Sequence, residues 1–211
     1  MTISRRRFCL ILSSPSGAGK TTLAKQLVKS DPNLYLSISA TTRPPRANEH
    51  HGADYYFLSR DEFLAMRDAE NFFEWAEVFG NFYGTPREPI HRAFDQGRDV
   101  VFDIDWQGAQ SVKQALPHDT VGVFILPPSR EELVRRIYGR ASDPASVIEA
   151  RLKAANEELT HWGEYAYVLV NKNIEDSVAA LKAILAAERS AAHRQTGLPV
   201  FVEGLKGPAK S

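Results

Sequence analysis

Short apolar runs alternate with amphipathic stretches along most of the chain. Phe8–Leu12 is a continuous apolar run, the pattern of a strand buried on both faces of a parallel sheet. A helix is predicted from about Lys20 to Lys29, stopped by Asp31-Pro32, and a second strand over Leu34–Ser39. Thr41–Asp54 is polar, proline-rich and too irregular for a helix. Tyr55–Leu58 reads as a strand, and Ser59-Arg60-Asp61-Glu62 as a capping box that opens a short helix. Phe72–Phe79, Gly80-Asn81 and Phe82-Tyr83 read as strand, turn, strand. Thr85-Pro86-Arg87-Glu88 predicts another capping box, with Pro at the first helical position and Gly97 closing the helix.

Arg98–Asp105 and Thr120–Leu126 read as strands. Ser129 is expected to cap a helix running to about Tyr138, Gly139–Asp143 to form a loop, and Pro144 to start a longer helix. Tyr165–Val170 is a further strand. From Asp176 to about Arg194 an Ala-rich helix places Val178, Leu181 and Leu185 on one face. The tail from Gly204 is expected to fray. Strand and helix alternate at the two ends of the chain, which predicts an α/β fold with a parallel sheet covered on both faces. The rhythm breaks over 40–92, where strands lie close together and aromatics are frequent. That stretch is expected to be an inserted lobe, with 1–39 and 93–211 forming the core.

Composition narrows the partners. The 211 residues fit one domain with small inserted lobes, and 43% hydrophobic with 25% charged is ordinary for a soluble protein. Lys plus Arg (26) balance Asp plus Glu (26), so no global positive field draws in nucleic acid or an acidic membrane. An anion must therefore be held by a local cluster. No run approaches the roughly 20 apolar residues that span a bilayer. The apolar run after Arg5-Arg6-Arg7 is too short for a secretory signal, so these arginines read as a solvated tail and cytoplasm is the expected location. Cys9 has no partner cysteine and reads as a buried, reduced thiol.

The local cluster is easily found. Ser14-Pro15-Ser16-Gly17-Ala18-Gly19-Lys20-Thr21 follows G-x-x-x-x-G-K-S/T, except that Ser14 stands at the first Gly. A buried strand precedes it and a helix follows. Gly17 and Gly19 let backbone amides turn toward a ligand, and the helix N-terminus adds partial positive charge for a polyphosphate. Lys20 adds a full charge at the β- and γ-phosphates, and the Thr21 hydroxyl suits a Mg²⁺ bound between them. The bland alternative is a glycine-rich turn with an incidental lysine. Downstream, Arg43 and Arg46 are three apart on a proline-stiffened segment, close enough to clamp one phosphate with two guanidinium forks. Tyr55 and Tyr83 could each add a hydroxyl. Taken alone, these arginines read equally well as solvated loop charges.

Val100-Val101-Phe102-Asp103-Ile104-Asp105 is an apolar strand ending in carboxylates, the way a Walker-B type acid is presented beside a phosphate loop. Period-two spacing puts Asp103 and Asp105 on one side, and Asp103 is expected to reach the Mg²⁺ shell through water. Solvation of a strand end is the competing reading.

From Thr41 to Phe57 the chain resembles the guanylate kinase family. T-S/T-R, K/R, D/E, G/A, Y and F/Y recur at the family's spacing as Thr41-Thr42-Arg43, Arg46, Glu49, Gly52, Tyr55 and Phe57. The phosphate loop, Phe73-Glu74-Trp75-Ala76, Tyr83-Gly84, Asp103-Ile104-Asp105 with Gln107-Gly108, and Arg135 to Asn171 extend the resemblance over nearly the whole chain. It implies a P-loop three-layer core with an inserted nucleoside-monophosphate lobe and a short lid at about 136–151. It implies transfer of the γ-phosphoryl group of ATP to GMP, and to dGMP, within purine nucleotide metabolism.

By this resemblance Arg43, Arg46, Tyr55 and Tyr83 form the GMP-phosphate site. Ser39 and Glu74 contact guanine, with Thr85 and Asp105 nearby. Arg136, Arg140 and Arg151 belong to the lid and approach the transferring phosphates, and Asn171 is an adenine-side contact. A carboxylate at Glu74 would accept from guanine N1–H and the 2-amino group together, and adenine offers neither donor. An exposed strand carboxylate is the plain alternative. Ala141 and Pro144 depart from the family's usual Gly and Ser and are expected to stiffen the lid. The acceptor phosphate is largely dianionic at neutral pH, so no general base is expected and His50, His51, His91, His118, His161 and His193 receive no catalytic role. Two other readings compete with the enzyme: a catalytically dead module of the same fold that binds partner proteins, and a kinase for another acceptor such as a phosphorylated ribose.

Overall fold

The computed structural model describes residues 3–46, 49–78, 80–139 and 145–206. Five strands, β1 (Cys9–Ser13), β2 (Leu34–Leu36), β7 (Asp99–Asp103), β8 (Thr120–Leu126) and β9 (Tyr167–Val170), form one sheet in the order β2-β7-β1-β8-β9. Every pairing in it is parallel. Alternate residues of β1 feed two cores. Leu10 and Leu12 pack with Leu23, Ala24 and Leu27 of α1 (Lys20–Lys29) and with Leu181 and Leu185 of α7 (Ile174–Ser190). Cys9 and Ile11 pack on the other face with Ile90 and Ala93 of α3 (Arg87–Asp95) and Ala109 and Val112 of α4 (Trp106–Ala115). The result is the three-layer α/β arrangement that the alternation predicts.

A second, four-stranded sheet has the order β4-β3-β6-β5, from β3 (Ala40–Thr41), β4 (Tyr56–Phe57), β5 (Phe72–Val78) and β6 (Asn81–Pro86). Stacked Phe63, Phe72 and Phe82 join it to α2 (Arg60–Asp68), whose capping box at Ser59 has both hydrogen bonds in place. A register shift lies between the pairs Phe72–Pro86 and Trp75–Gly84, with one extra residue on β5. A bulge of this kind turns a strand locally. Consecutive Phe72 and Phe73 enter two different cores, as alternation along a strand requires, and Glu74 follows them at the cavity described below. Beyond β8, α5 (Arg130–Tyr138) and α6 (Ala145–Glu158) pack through Leu133, Ile137 and Ala155.

Several expectations change. The box predicted at Thr85 does not form: Thr85 lies in β6, Pro86 caps α3 without a side-chain bond, and the Thr85 hydroxyl donates to Glu74 instead. The strand over Arg98–Asp105 ends at Asp103, because Asp105 caps α4 by accepting from Gly108 N–H. Helix α8 (Leu198–Leu205) occupies part of the stretch expected to fray. The N-terminal arginines are not a solvated tail. Arg5 makes a two-pronged bond (2.7 and 2.6 Å) to the fully buried Asp99, which also takes Arg189 of α7 at 2.8 Å. Arg6 donates to Asp119 at 2.7 Å. Cys9 is buried as expected, and burial pushes its thiol pKa up. Among the described residues no helix is long and apolar enough to cross a membrane.

Candidate active site

The loop between β1 and α1 needs glycine at two places. Gly17 (φ 92°) and Gly19 (φ 93°) are both left-handed, a backbone that disfavours side chains. A Cβ on Gly19 would also sit 2.7 Å from the Asn171 amide nitrogen. Ser14 stands outside the left-handed region, and its hydroxyl donates to the Pro15 carbonyl at 3.0 Å, so the missing first glycine strains nothing. The loop borders a cavity of about 300 Å³ that includes Ser14, Gly17, Gly19, Lys20 and Thr21.

Lys20 lies between the Ile104 carbonyl (2.7 Å) and the Asp103 carboxylate (3.0 Å) at the end of β7. Burial works to raise the Asp103 pKa, but the Lys20 ammonium and the Thr21 hydroxyl outweigh it and hold the carboxyl below its usual range. Thr21 and an ionised Asp103 are hard oxygen donors side by side. Among the described residues no group of three or more His, Cys, Asp or Glu could cage a metal unaided. That donor set fits a Mg²⁺ whose remaining positions are filled by phosphate oxygens and water. One carboxylate was not foreseen: Glu158, at the end of α6, accepts from Ser16 N–H at 2.9 Å.

A second cavity, of about 310 Å³, brings Ser39, Tyr55, Glu74, Tyr83 and Asp105 together with Lys20 and Asp103. Trp75, Gln107, Gly108 and Ser111 also line it and had no assigned role. Burial, and then the nearby Asp105 charge, raise the Glu74 carboxyl to about 7 against the bond from Thr85 (2.5 Å). Thr85 itself is fully buried behind Glu74.

The expected arginine clamp is arranged differently. The Arg43 fork closes on both oxygens of Glu49 at 2.9 Å each, and one of its nitrogens also donates to the Pro44 carbonyl. The bond to Glu49, helped by the Tyr83 hydroxyl, holds the guanidinium firmly charged. Arg46 gives Glu49 its backbone N–H at 2.9 Å while its side chain stays exposed. The two forks therefore meet a carboxylate between them. Glu49 occupies the D/E place of the quoted pattern, which is the signal that could have singled it out.

On the α5–α6 side, Arg136 donates to Glu132 (2.6 Å) and to the Ala18 carbonyl (3.3 Å), so it touches the loop. Arg151 lines an adjoining cavity of about 710 Å³ with Thr21, Arg46 and Tyr55. Arg140, Ala141 and Pro144 lie outside the described residues. Asn171 is only 4% exposed, and both ends of its amide are engaged by protein, so it lies behind the loop and not at the wall of any of these cavities.

The chain as a whole has counterparts among known proteins. The family model described as "Guanylate kinase" matches residues 6–188. A guanylate kinase of Paramagnetospirillum magneticum is 52% identical over 206 residues, covering 98% of this chain and 96% of the relative. One from Cereibacter sphaeroides is also 52% identical, covering 97% and 98%. The crystal structure of guanylate kinase from Anaplasma phagocytophilum superposes with a TM-score of 0.80 at 39% identity, over 96% of each chain. Phosphate loop, carboxylate-lined cavity, three-layer sheet and near-full-length likeness agree, and this chain belongs to the guanylate kinase family.

Proposed function

We propose that the chain carries out its family's ATP-dependent phosphorylation of GMP to GDP by in-line transfer between two half-sites that share Lys20 and Asp103. The observation that carries this reading is that sharing: both residues line the loop's cavity and the cavity around Glu74. A phosphoryl group passed from one to the other would stay beside the same ammonium throughout.

On the donor side, the backbone N–H groups of the Ser14–Lys20 loop, Pro15 having none, and the N-terminus of α1 bind the ATP phosphates, and Lys20 follows the group in flight. Thr21, and Asp103 through water, would hold a Mg²⁺ arriving with ATP. Bound there, the ion would neutralise charge between the β- and γ-phosphates. On the acceptor side, Arg43, Arg46, Tyr55 and Tyr83 hold the GMP phosphate. Glu74 accepts from guanine N1–H and the 2-amino group, with Ser39, Thr85 and Asp105 around it. Nothing in this scheme asks for a general base, because the attacking oxygen belongs to a phosphate dianion. Arg136, Arg140 and Arg151 stabilise charge on the equatorial oxygens. Residues 40–92 act as a lobe and about 136–151 as a lid, and their closure would keep water from the γ-phosphate. Both GMP and dGMP serve as acceptors, and the reaction runs in the cytoplasm without nucleic acid or membrane.

The test is ADP release measured with GMP, dGMP, AMP, CMP, UMP and no acceptor. Turnover with GMP and dGMP alone is expected. Equal turnover with AMP would overturn the guanine assignment, and hydrolysis at the same rate without acceptor would overturn the transfer.

A further inference from the structure

Asn171 sits just past β9 and is anchored on three sides. Its backbone N–H donates to Leu126 at 2.8 Å, its Oδ1 accepts from the Ser177 hydroxyl at 2.9 Å, and its Nδ2 donates to the Ala18 carbonyl at 2.8 Å. Asn171 and Ser177 are 4% and 3% exposed, so neither bond competes with water. The Ala18 carbonyl, which can only accept, requires the Nδ2 end of the amide toward the loop, and this leaves Oδ1 to accept from the Ser177 hydroxyl. Ser177 belongs to the first turns of α7, which Asn173 caps.

The partner at the other end matters more. Ala18 and Gly19 share one peptide unit, and no peptide bond among the described residues is cis. In a planar trans unit the N–H points opposite to the carbonyl. A carbonyl tied back to Asn171, and to Arg136 at 3.3 Å, therefore turns the Gly19 N–H the other way, toward the cavity that Gly19 and Lys20 line. The contact is tight enough that a Cβ on Gly19 would meet Nδ2 at 2.7 Å.

We propose that Asn171, oriented by Ser177, is a positioning residue that aims the Gly19 amide at the donor's phosphate chain, acting through the Ala18 carbonyl and not on adenine. The inference rests on the reading of Ser14–Thr21 as the donor site. It distinguishes two roles that a loss of ATP affinity alone would confuse. A residue that contacts adenine affects ATP but leaves a base-free polyphosphate untouched. A residue that aims the loop affects both equally.

The experiment compares Asn171→Asp, Asn171→Ala and Ser177→Ala with wild type. It measures KM for ATP and GMP, inhibition by magnesium tripolyphosphate against ATP, and melting temperature. Asn171→Asp puts an acceptor against the Ala18 carbonyl. It should raise KM for ATP and weaken tripolyphosphate together by roughly tenfold or more, with KM for GMP unchanged within about twofold. Ser177→Ala keeps the Nδ2 donor and should show the same pair of changes at about two- to threefold. An unchanged tripolyphosphate constant beside a raised KM for ATP would overturn the proposal in favour of an adenine contact. Parallel losses in ATP, GMP and melting temperature would reduce Asn171 to a structural residue. If the Asn171 variants do not fold, Ser177→Ala decides, and no change in either donor constant overturns the proposal. Tripolyphosphate binding to wild type, followed by its shift in melting temperature, needs no turnover. It therefore tests the loop even if GMP proves not to be the acceptor.

Discussion

At Ser14–Thr21 the groups offered to a ligand are backbone amides and one lysine. They are set by two left-handed glycines and braced from behind by Asn171 and Arg136. In and around the Glu74 cavity they are side chains, and several are bonded to one another: Thr85 to Glu74 from behind it, and Arg43 to Glu49 outside its lining. On the proposed reading the first arrangement binds what every nucleoside triphosphate has, and it can be rigid because it makes no choice. The second must tell one base from another, and specificity of that kind comes from polar groups left unpaired by the wrong ligand. GMP would exchange internal partners for its own. The donor half should therefore fail abruptly when altered, and the acceptor half should change its selectivity first.

Lys20→Ala is the strongest way to break that contrast. It should cut kcat by at least about a hundredfold while GMP binding, read by calorimetry, survives. Loss of GMP binding as well would mean that the two halves are not separable. Gly19→Ala comes next. It combines a left-handed backbone with a Cβ 2.7 Å from Asn171, and should weaken ATP roughly tenfold or more without moving KM for GMP.

Glu74→Gln probes the acceptor half. GMP-over-AMP discrimination should fall by roughly tenfold, with kcat for GMP less affected. Its pH dependence sharpens the point. The Glu74 carboxyl, raised to about 7 by burial, is substantially protonated below that pH and then accepts poorly from guanine. KM for GMP should rise as pH falls below 7, and the Gln variant should lose most of that slope. What slope remains belongs to the phosphate of GMP itself, whose second pKa lies near ~6. The same shift makes a stability prediction. A carboxyl raised above its unfolded value favours the fold fully below about 4.5, and that support is lost as pH rises through about 7. The ligand-free Gln variant should therefore melt higher than wild type at pH 8 and not at pH 4. Glu49→Gln is the mildest change. Loosening the hold on Arg43 should raise KM for GMP by roughly threefold and leave ATP alone. A fall in KM would instead make Glu49 a competitor of the substrate phosphate.

Much of the frame is legible in the sequence wherever one local signal decides. Helix α1 stands between a glycine and a proline-marked stop, α5 follows a serine cap, and β8 is a bounded apolar run; all three have the expected limits. Helix α4 is absent from the sequence expectations because its segment carries an interior Gly108 and its cap, Asp105, also suits a strand end. Thr85 has the local form of a cap, but a partner eleven residues earlier in sequence, Glu74, takes its hydroxyl. Arg5 and Asp99 are 94 residues apart, so nothing near either one announces the pair. In the site, the loop and Glu74 follow from spacing and resemblance. The D/E place of the pattern marks Glu49, whereas Glu158 and the seat of Asn171 depend on which groups the fold brings within 3 Å, and spacing does not encode that.

The central claim is that donor and acceptor occupy one continuous site. Adenosine and guanosine joined by a pentaphosphate chain test it most directly, through their stoichiometry and mode of inhibition. The account predicts one molecule bound per chain, competitive with both ATP and GMP, and weakened by Lys20→Ala and by Glu74→Gln alike. Competition with only one substrate, or two molecules bound per chain, would contradict it.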